Sequence, residues 1–245
     1  MPDLAQAYAD ARKTMSDLAR SAAPGRLQTR VPACPAWDVK DLIAHVTGIA
    51  TAVSTGEGIR DINLALFWDP NVAAAREEFV DAEIKARRDL PLEEIIAEWE
   101  RSSAELEPMM RGEKPFPAGA PAMGEWVVLT DLGVHHHDLR GALGAPGDRE
   151  SLATGLSLRS YVETMRMRTA AMGLPVLRIV AGSRSWTTGE GEPVATLTAD
   201  PFELARAAAG RRSPDQLRSL AWDGDPEPFM ELFYPYGMRT DPLEE

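Results

Sequence analysis

The segment Thr130-Asp131-Leu132-Gly133-Val134-His135-His136-His137-Asp138-Leu139 constrains the fold more than any other part of the chain. Asp131, His135 and Asp138 follow one another at spacings of four and three. On a helix of 3.6 residues per turn they share one face. Val127, Val128, Val134, Leu139 and Ala142 fall on the same broad arc. Polar groups therefore sit where an apolar core is expected. A buried carboxylate needs a compensating partner, and a metal ion would serve. The segment thus calls for a helix packed inside a bundle, with another element facing it.

Asp131 and His135, one turn apart, can grip one ion. A transition-metal site with an open position usually takes three protein ligands. The chain has four histidines, three of them in this run, and His45 is the fourth. If His45 is the third ligand, its ring nitrogen lies within about 6 Å of that of His135, because two zinc–nitrogen bonds span little more than 4 Å. His136 and His137 point toward the side that carries Arg140 and are not expected to be ligands. The run also admits a plain reading as a solvated polar stretch.

Residues 4–22 read as a helix, with Leu4, Tyr8, Ala11, Met15 and Leu18 at helical spacing. Pro24, Pro32 and Pro35 make 24–37 irregular. A second helix starts near Trp37, with Asp38 as N-cap and Asp41 in its first turn. Val39, Leu42, Val46, Ile49 and Val53 form its apolar face, and His45 lies at the edge of that face. That position suits a ligand at the rim of a bundle, and equally a half-buried histidine. A loop at 57–70 contains Phe67 and Trp68, and helices follow at about 71–88 and 92–111. Loop 112–121 is rich in Pro and Gly. The histidine helix spans about 122–143 and stops at Gly144. A further helix covers about 148–172.

From Leu174 the texture changes. Val176–Val180 and Val194–Thr198 read as strands, with a turn at Gly189–Glu192. Short helices follow at Phe202–Ala209, Ser213–Leu220 and Pro226–Tyr234. The expected organisation is α+β overall: a helical bundle over 1–173 and a small α+β domain over 174–245.

The balance of 26 basic against 38 acidic residues, net charge −12, argues against nucleic acid or anionic membrane as a partner. No apolar run is long enough to span a bilayer. The N-terminal residues lack the pattern of a signal peptide. Cys34 is the single cysteine, so no internal disulfide forms. A cytoplasmic protein is the expectation. Cys34 precedes a helix start, where a thiolate can be stabilised, although a small buried residue in a proline-rich turn is the simpler reading. No Gly-rich phosphate loop, G-x-S-x-G or C-x-x-C motif is present.

Two segments together resemble a known family. Cys34-Pro35-x-Trp37-x-Val39-x-Asp41-Leu42-x-x-His45 is similar to the C-P-x-W-x-V-x-D-L-x-x-H segment of the mycothiol-dependent maleylpyruvate isomerase family, part of the DinB-like metalloenzyme bundles. Asp131-x-x-x-His135-x-x-Asp138-Leu139 resembles that family's E-x-x-x-H-x-x-D-L helix. Trp186, Asp200-Pro201, Gly210-Arg211 and Gly224-Asp225 follow the order of its C-terminal domain, more loosely. The resemblance implies a four-helix bundle that holds one divalent ion, usually zinc, by His, Glu and His. Carried over, the ligands are His45, Asp131 and His135. Asp131 departs from the usual Glu and is one methylene shorter.

The resemblance further implies that mycothiol is the thiol cofactor and binds at the open position. A coordinated thiol is deprotonated, which gives a nucleophile at neutral pH. The activity implied is isomerisation or S-transfer on a small electrophile. Asp138 is then expected to orient a ligand or take a proton, and Arg211 to hold a carboxylate of substrate or cofactor. Arg212, beside it, could do the same, although a solvated surface pair is the simpler reading. A metal-dependent hydrolase and a non-catalytic metal-binding module are the alternatives.

Overall fold

Asp38 ends an extended segment and begins a helix, and the first half of the chain is built on that switch. The structure is a computed structural model that describes residues 3–57 and 69–245. Phe67 and Trp68 of the expected loop lie outside the described residues. The chain divides into two compact units, Met1–Gly147 and Asp148–Glu245.

In the first unit, α1 (Leu4–Ser21) is capped by Asp3, whose Oδ1 accepts from the Gln6 amide at 3.0 Å. A 3₁₀ turn (Pro24–Gln28) leads into a two-stranded antiparallel ribbon, β1 (Arg30–Val31) and β2 (Cys34–Asp38). The proline-rich stretch expected to be irregular is thus partly ordered. Pro32 lies in the turn and Pro35 in a two-stranded ribbon, where a missing N–H is tolerated. Helices α2 (Val39–Thr55), α3 (Pro70–Arg87), α4 (Leu92–Met110) and α5 (Gly124–Leu143) follow.

Helices α1, α4, α2 and α5 pack in a ring, each against the next, and α3 packs against α2. Trp99, Ile95, Ile96 and Leu106 of α4, Leu42, Ile43 and Val53 of α2 and Met15 of α1 have no exposed surface, and the helices that carry them pack together. Burial of each such side chain stabilises the fold by about 1.5–3 kcal/mol. Within this core Trp99 Nε1 donates to Tyr8 Oη at 2.9 Å, and Tyr8 Oη lies 3.1 Å from Ser103 Oγ. Every polar atom of that chain is thereby satisfied. Burial, the largest effect on the Tyr8 phenol, pushes its pKa up to about 12.

Between α3 and α4, Arg87 donates to Glu83 Oε2 at 2.6 Å and, from Nε, to Glu98 Oε2 at 3.1 Å. Burial alone would lower the Arg87 pKa, but the two carboxylates outweigh it and the pKa rises.

The second unit starts with α6 (Leu152–Met172), capped by Ser151. A four-stranded sheet follows, β3 (Leu177–Ala181), β4 (Arg184–Thr187), β5 (Ala195–Ala199) and β6 (Ala221–Asp223), in the order β4-β3-β5-β6. β3 and β5 run parallel and the outer pairs antiparallel. Leu177, Ile179 and Ala181 alternate inward with Ala195 and Leu197. Helices α7 (Pro201–Ala208) and α8 (Pro214–Arg218) link β5 to β6. The stretch expected as a last helix is a 3₁₀ segment, Glu227–Phe233.

The division falls at 147/148 and not at 173/174 as the change in sequence texture suggests. The reason is packing: α6 lies against α7 and the 3₁₀ segment. Its helical period resembles that of the bundle, so the sequence pattern groups it with the wrong partners. Strand β4 also escaped the pattern, because its turn is the tight Gly182-Ser183 with Gly182 at φ +60°, well before the more obvious Gly189–Glu192.

Candidate metal centre

The position of His45 follows from the start of α2. Asp38 Oδ1 accepts from the Asp41 amide at 2.8 Å, and Asp41 Oδ2 accepts from the Asp38 amide at 3.3 Å, a capping box. Two turns later the His45 ring enters the bundle, 4% exposed. Facing it, α5 supplies Asp131 and His135. His45 Nε2 lies 3.2 Å from Asp131 Oδ1, and His135 Nε2 lies 3.5 Å from the same oxygen. The three donor atoms are within 4.8 Å of one another, inside the limit of about 6 Å expected for ligands of one ion. Two atoms bound to a tetrahedral zinc at about 2.0–2.1 Å are about 3.3 Å apart. The two measured edges bracket that value, so the residues fit a divalent ion of zinc's size. Asp131 retains 22% exposure of its side chain, so the trio is not sealed.

The two imidazoles are held differently. His135 Nδ1 lies 2.9 Å from Asp138 Oδ2, whose side chain has no exposed surface. A carboxylate there keeps the proton on Nδ1 and leaves Nε2 as the free donor. Burial lowers the His135 pKa, against the carboxylates of Asp131 and Asp138, which pull it up. The net shift favours the neutral ring, the form that binds metal. His45 Nδ1 is buried and has no hydrogen-bond partner among the described residues.

Strand β2 closes over this pair. The Trp37 ring lies 4.7 Å from the His45 ring and 5.5 Å from the His135 ring, centroid to centroid. Cys34 Sγ lies 3.6 Å from Asp138 Oδ2. Neither contact was given a role on sequence grounds. The one available signal was that Cys34 and Trp37 sit just before the capped helix that carries His45.

His136 and His137 are buried and not solvated, at 2% and 4% exposure. Their rings stack at 5.2 Å, and Arg140 Nε donates to His136 Nε2 at 2.9 Å. Neighbours of α5 on several sides bury all of 132–139, so no polar stretch remains there.

Arg211 belongs to the second unit. Its Nη1 donates to the Ala209 carbonyl at 3.0 Å, and its guanidinium lies over the Tyr236 ring at 5.9 Å. Arg212 is not in a solvated surface pair. It is buried, donating from Nε to Glu203 Oε1 at 2.6 Å and from Nη1 to Glu245 Oε2 at 3.0 Å.

The family model described as the mycothiol maleylpyruvate isomerase N-terminal domain matches residues 8–140. The chain belongs to that family. The matched span contains His45, Asp131, His135 and Asp138. Two solved structures share the fold. The crystal structure of the mycothiol-dependent maleylpyruvate isomerase superposes with a TM-score of 0.56 at 17% identity, covering 86% of this chain and 90% of that chain. A histidine-to-alanine mutant of that isomerase gives the same TM-score and coverage at 16% identity. No curated protein matches the sequence. Among the described residues, no helix is long and apolar enough to cross a membrane.

Proposed function

We propose that the chain is a divalent-metal enzyme that uses a low-molecular-weight thiol, mycothiol, to isomerise or S-modify a small electrophile. The observation that carries this reading is the convergence of His45, Asp131 and His135 on one point between α2 and α5. Family membership supports the thiol cofactor and the isomerase class. Zinc is the ion that the donor set of two imidazoles and a carboxylate favours.

His45, Asp131 and His135 would hold the ion. When bound, such an ion supplies the charge that keeps a small-molecule thiol deprotonated near neutral pH. Asp138 orients His135 and holds the proton of Nδ1. Trp37 walls the imidazole pair and excludes water from its outer face. Arg211 is assigned to a carboxylate of substrate or cofactor, a role its rigid fork of donors suits. With the sulfur brought by the cofactor, the reaction needs no cysteine nucleophile from the protein.

The test is metal analysis of the purified protein, followed by turnover of maleylpyruvate and related cis-configured unsaturated acids with and without mycothiol. Zinc near one equivalent and thiol-dependent turnover are expected. Turnover that is unchanged without thiol would assign the site to hydrolysis. Bound metal with neither thiol binding nor turnover would leave a binding module.

A further inference from the structure

Cys34 and Asp138 are 104 positions apart and come from β2 and α5, yet their side chains meet at Asp138 Oδ2. That oxygen also faces His135 Nδ1 at 2.9 Å. The Asp138 side chain is fully buried, so its charge depends on protein donors. Two of them, an imidazole N–H and a thiol S–H, converge on one oxygen. The contact of 3.6 Å is an ordinary length for a sulfur donor.

We propose that Cys34 is a positioning residue for the metal centre, acting through Asp138 on His135. The thiol donates into Oδ2 and restrains rotation of the carboxylate. The carboxylate in turn fixes the His135 ring with its proton on Nδ1, and Nε2 is left aimed at the ligand position beside Asp131 Oδ1. The same strand places Trp37 against both imidazoles, so β2 holds the ligand pair by two contacts three residues apart. The inference rests on the metal reading above. It goes beyond that reading by giving the single cysteine a task in which its sulfur is neither nucleophile nor ligand.

The geometry sets up a direct competitor. Cys34, His135 and Asp138 themselves offer donor atoms within 4.8 Å of one another, so a thiophilic ion could take Cys34 as a ligand. The experiment separates the two and has two arms. In the first, metal-free protein is labelled with ¹⁵N-histidine; four histidines make the ring spectrum assignable. His135 should appear as the Nδ1–H tautomer in the wild type. Cys34→Ala should shift it toward mixed tautomers, with Cys34→Ser between the two, while His137 stays unchanged. An unaltered His135 signal in Cys34→Ala overturns the proposal.

In the second arm, Co²⁺ is titrated into wild type, Cys34→Ala, Asp138→Asn and the double variant, with far-ultraviolet circular dichroism as the check on folding. Cys34→Ala should weaken cobalt binding about tenfold, the low end of what outer-shell partners contribute. It should add nothing in the Asp138→Asn background, since the thiol acts through that carboxylate. An equal loss in both backgrounds, or a thiolate-to-cobalt charge-transfer band in the wild type, overturns the proposal. A wild type that takes up no cobalt sinks the metal reading instead, and the tautomer arm then decides the role of Cys34 alone.

Discussion

His45 Nε2 and Asp131 Oδ1 stand 3.2 Å apart across two helices, joined by nothing in the sequence between them. Opposed across that gap, imidazole and carboxylate make either a hydrogen bond or one edge of a coordination sphere. His45→Ala and His135→Ala should each remove most bound metal, measured by mass spectrometry of native protein. His137→Ala should leave it nearly intact. His136→Ala should also keep the metal but lower the melting temperature, because Arg140 Nε loses its acceptor, a cost of about 1–3 kcal/mol. Equal metal loss in all four variants would mean that the run binds as a diffuse cluster.

Asp131→Glu restores the family's usual acid and is expected to harm this site. The present edges of 3.2 and 3.5 Å already match a zinc-sized ion, and an added methylene pushes the carboxylate about 1.5 Å further. Zinc affinity should fall about tenfold, or 1.4 kcal/mol, by competition with a chelating dye. Tighter binding in the Glu variant would show that the helices have not adjusted to the shorter acid, and would favour a decayed site.

Tyr8 gives a pH prediction. Its folded pKa of about 12 lies above the unfolded value of 10.0, so the folded state holds the phenol proton more tightly. Its contribution is complete below about pH 10 and is lost as pH rises toward 12. The sum is on the order of 2–3 kcal/mol. Tyr8→Phe should be less stable at pH 7, since Trp99 Nε1–H loses its acceptor, yet should show a flatter decline in denaturant midpoint between pH 10 and 12. Parallel curves for the two proteins would refute the assignment.

Gly119 touches the end of α2 through backbone alone. A Cβ there would stand 2.0 Å from the Gly56 carbonyl oxygen, and neither group is the tip of a flexible side chain. Gly119→Ala should cost about 3 kcal/mol, roughly 6–12 °C in melting temperature. Gly25→Ala, with nothing near its Cβ, is the control and should be neutral. Equal melting temperatures for the two variants would mean that the loop yields freely.

Arg87 stands between Glu83 and Glu98 and is itself buried. Arg87→Met should destabilise by about 3–5 kcal/mol, because two carboxylates are left facing each other without their cation. Glu83→Gln in the Arg87→Met background should recover part of that loss in urea melts. No recovery would place the cost in packing and not in charge.

The helices were legible because their signals are local: the Asp38–Asp41 cap, the apolar period of α2 and the Gly144 stop all lie within a turn of what they specify. The convergence of His45 with Asp131 and His135 was legible for a different reason, scarcity, since only one histidine lay outside the run. The contacts of Cys34 and Trp37 were not legible. Cys34–Asp138 and Trp37–His135 join residues about a hundred positions apart, and Trp37–His45 is short in sequence, but all three depend on a ribbon whose prolines read as irregular chain. The burial of His136 and His137 was hidden likewise. A helix enclosed on several sides loses the polar face by which periodicity is read, and α5 shows little contrast from one side to the other.

The capping box at the start of α2 also acts as an angular index. Asp38 and His45 are seven residues apart, which is two turns to within about 20°, so the cap locks the direction in which the imidazole leaves the helix. The strand that bears Trp37 ends at the same cap and is therefore in phase with the ring it covers. A single residue inserted between Asp38 and His45 would swing that ring by about 100° and carry it out from under the indole, with the helix otherwise intact. The ribbon, the cap and the first two turns of α2 therefore behave as one indexed part, in which sequence length is as constrained as sequence identity.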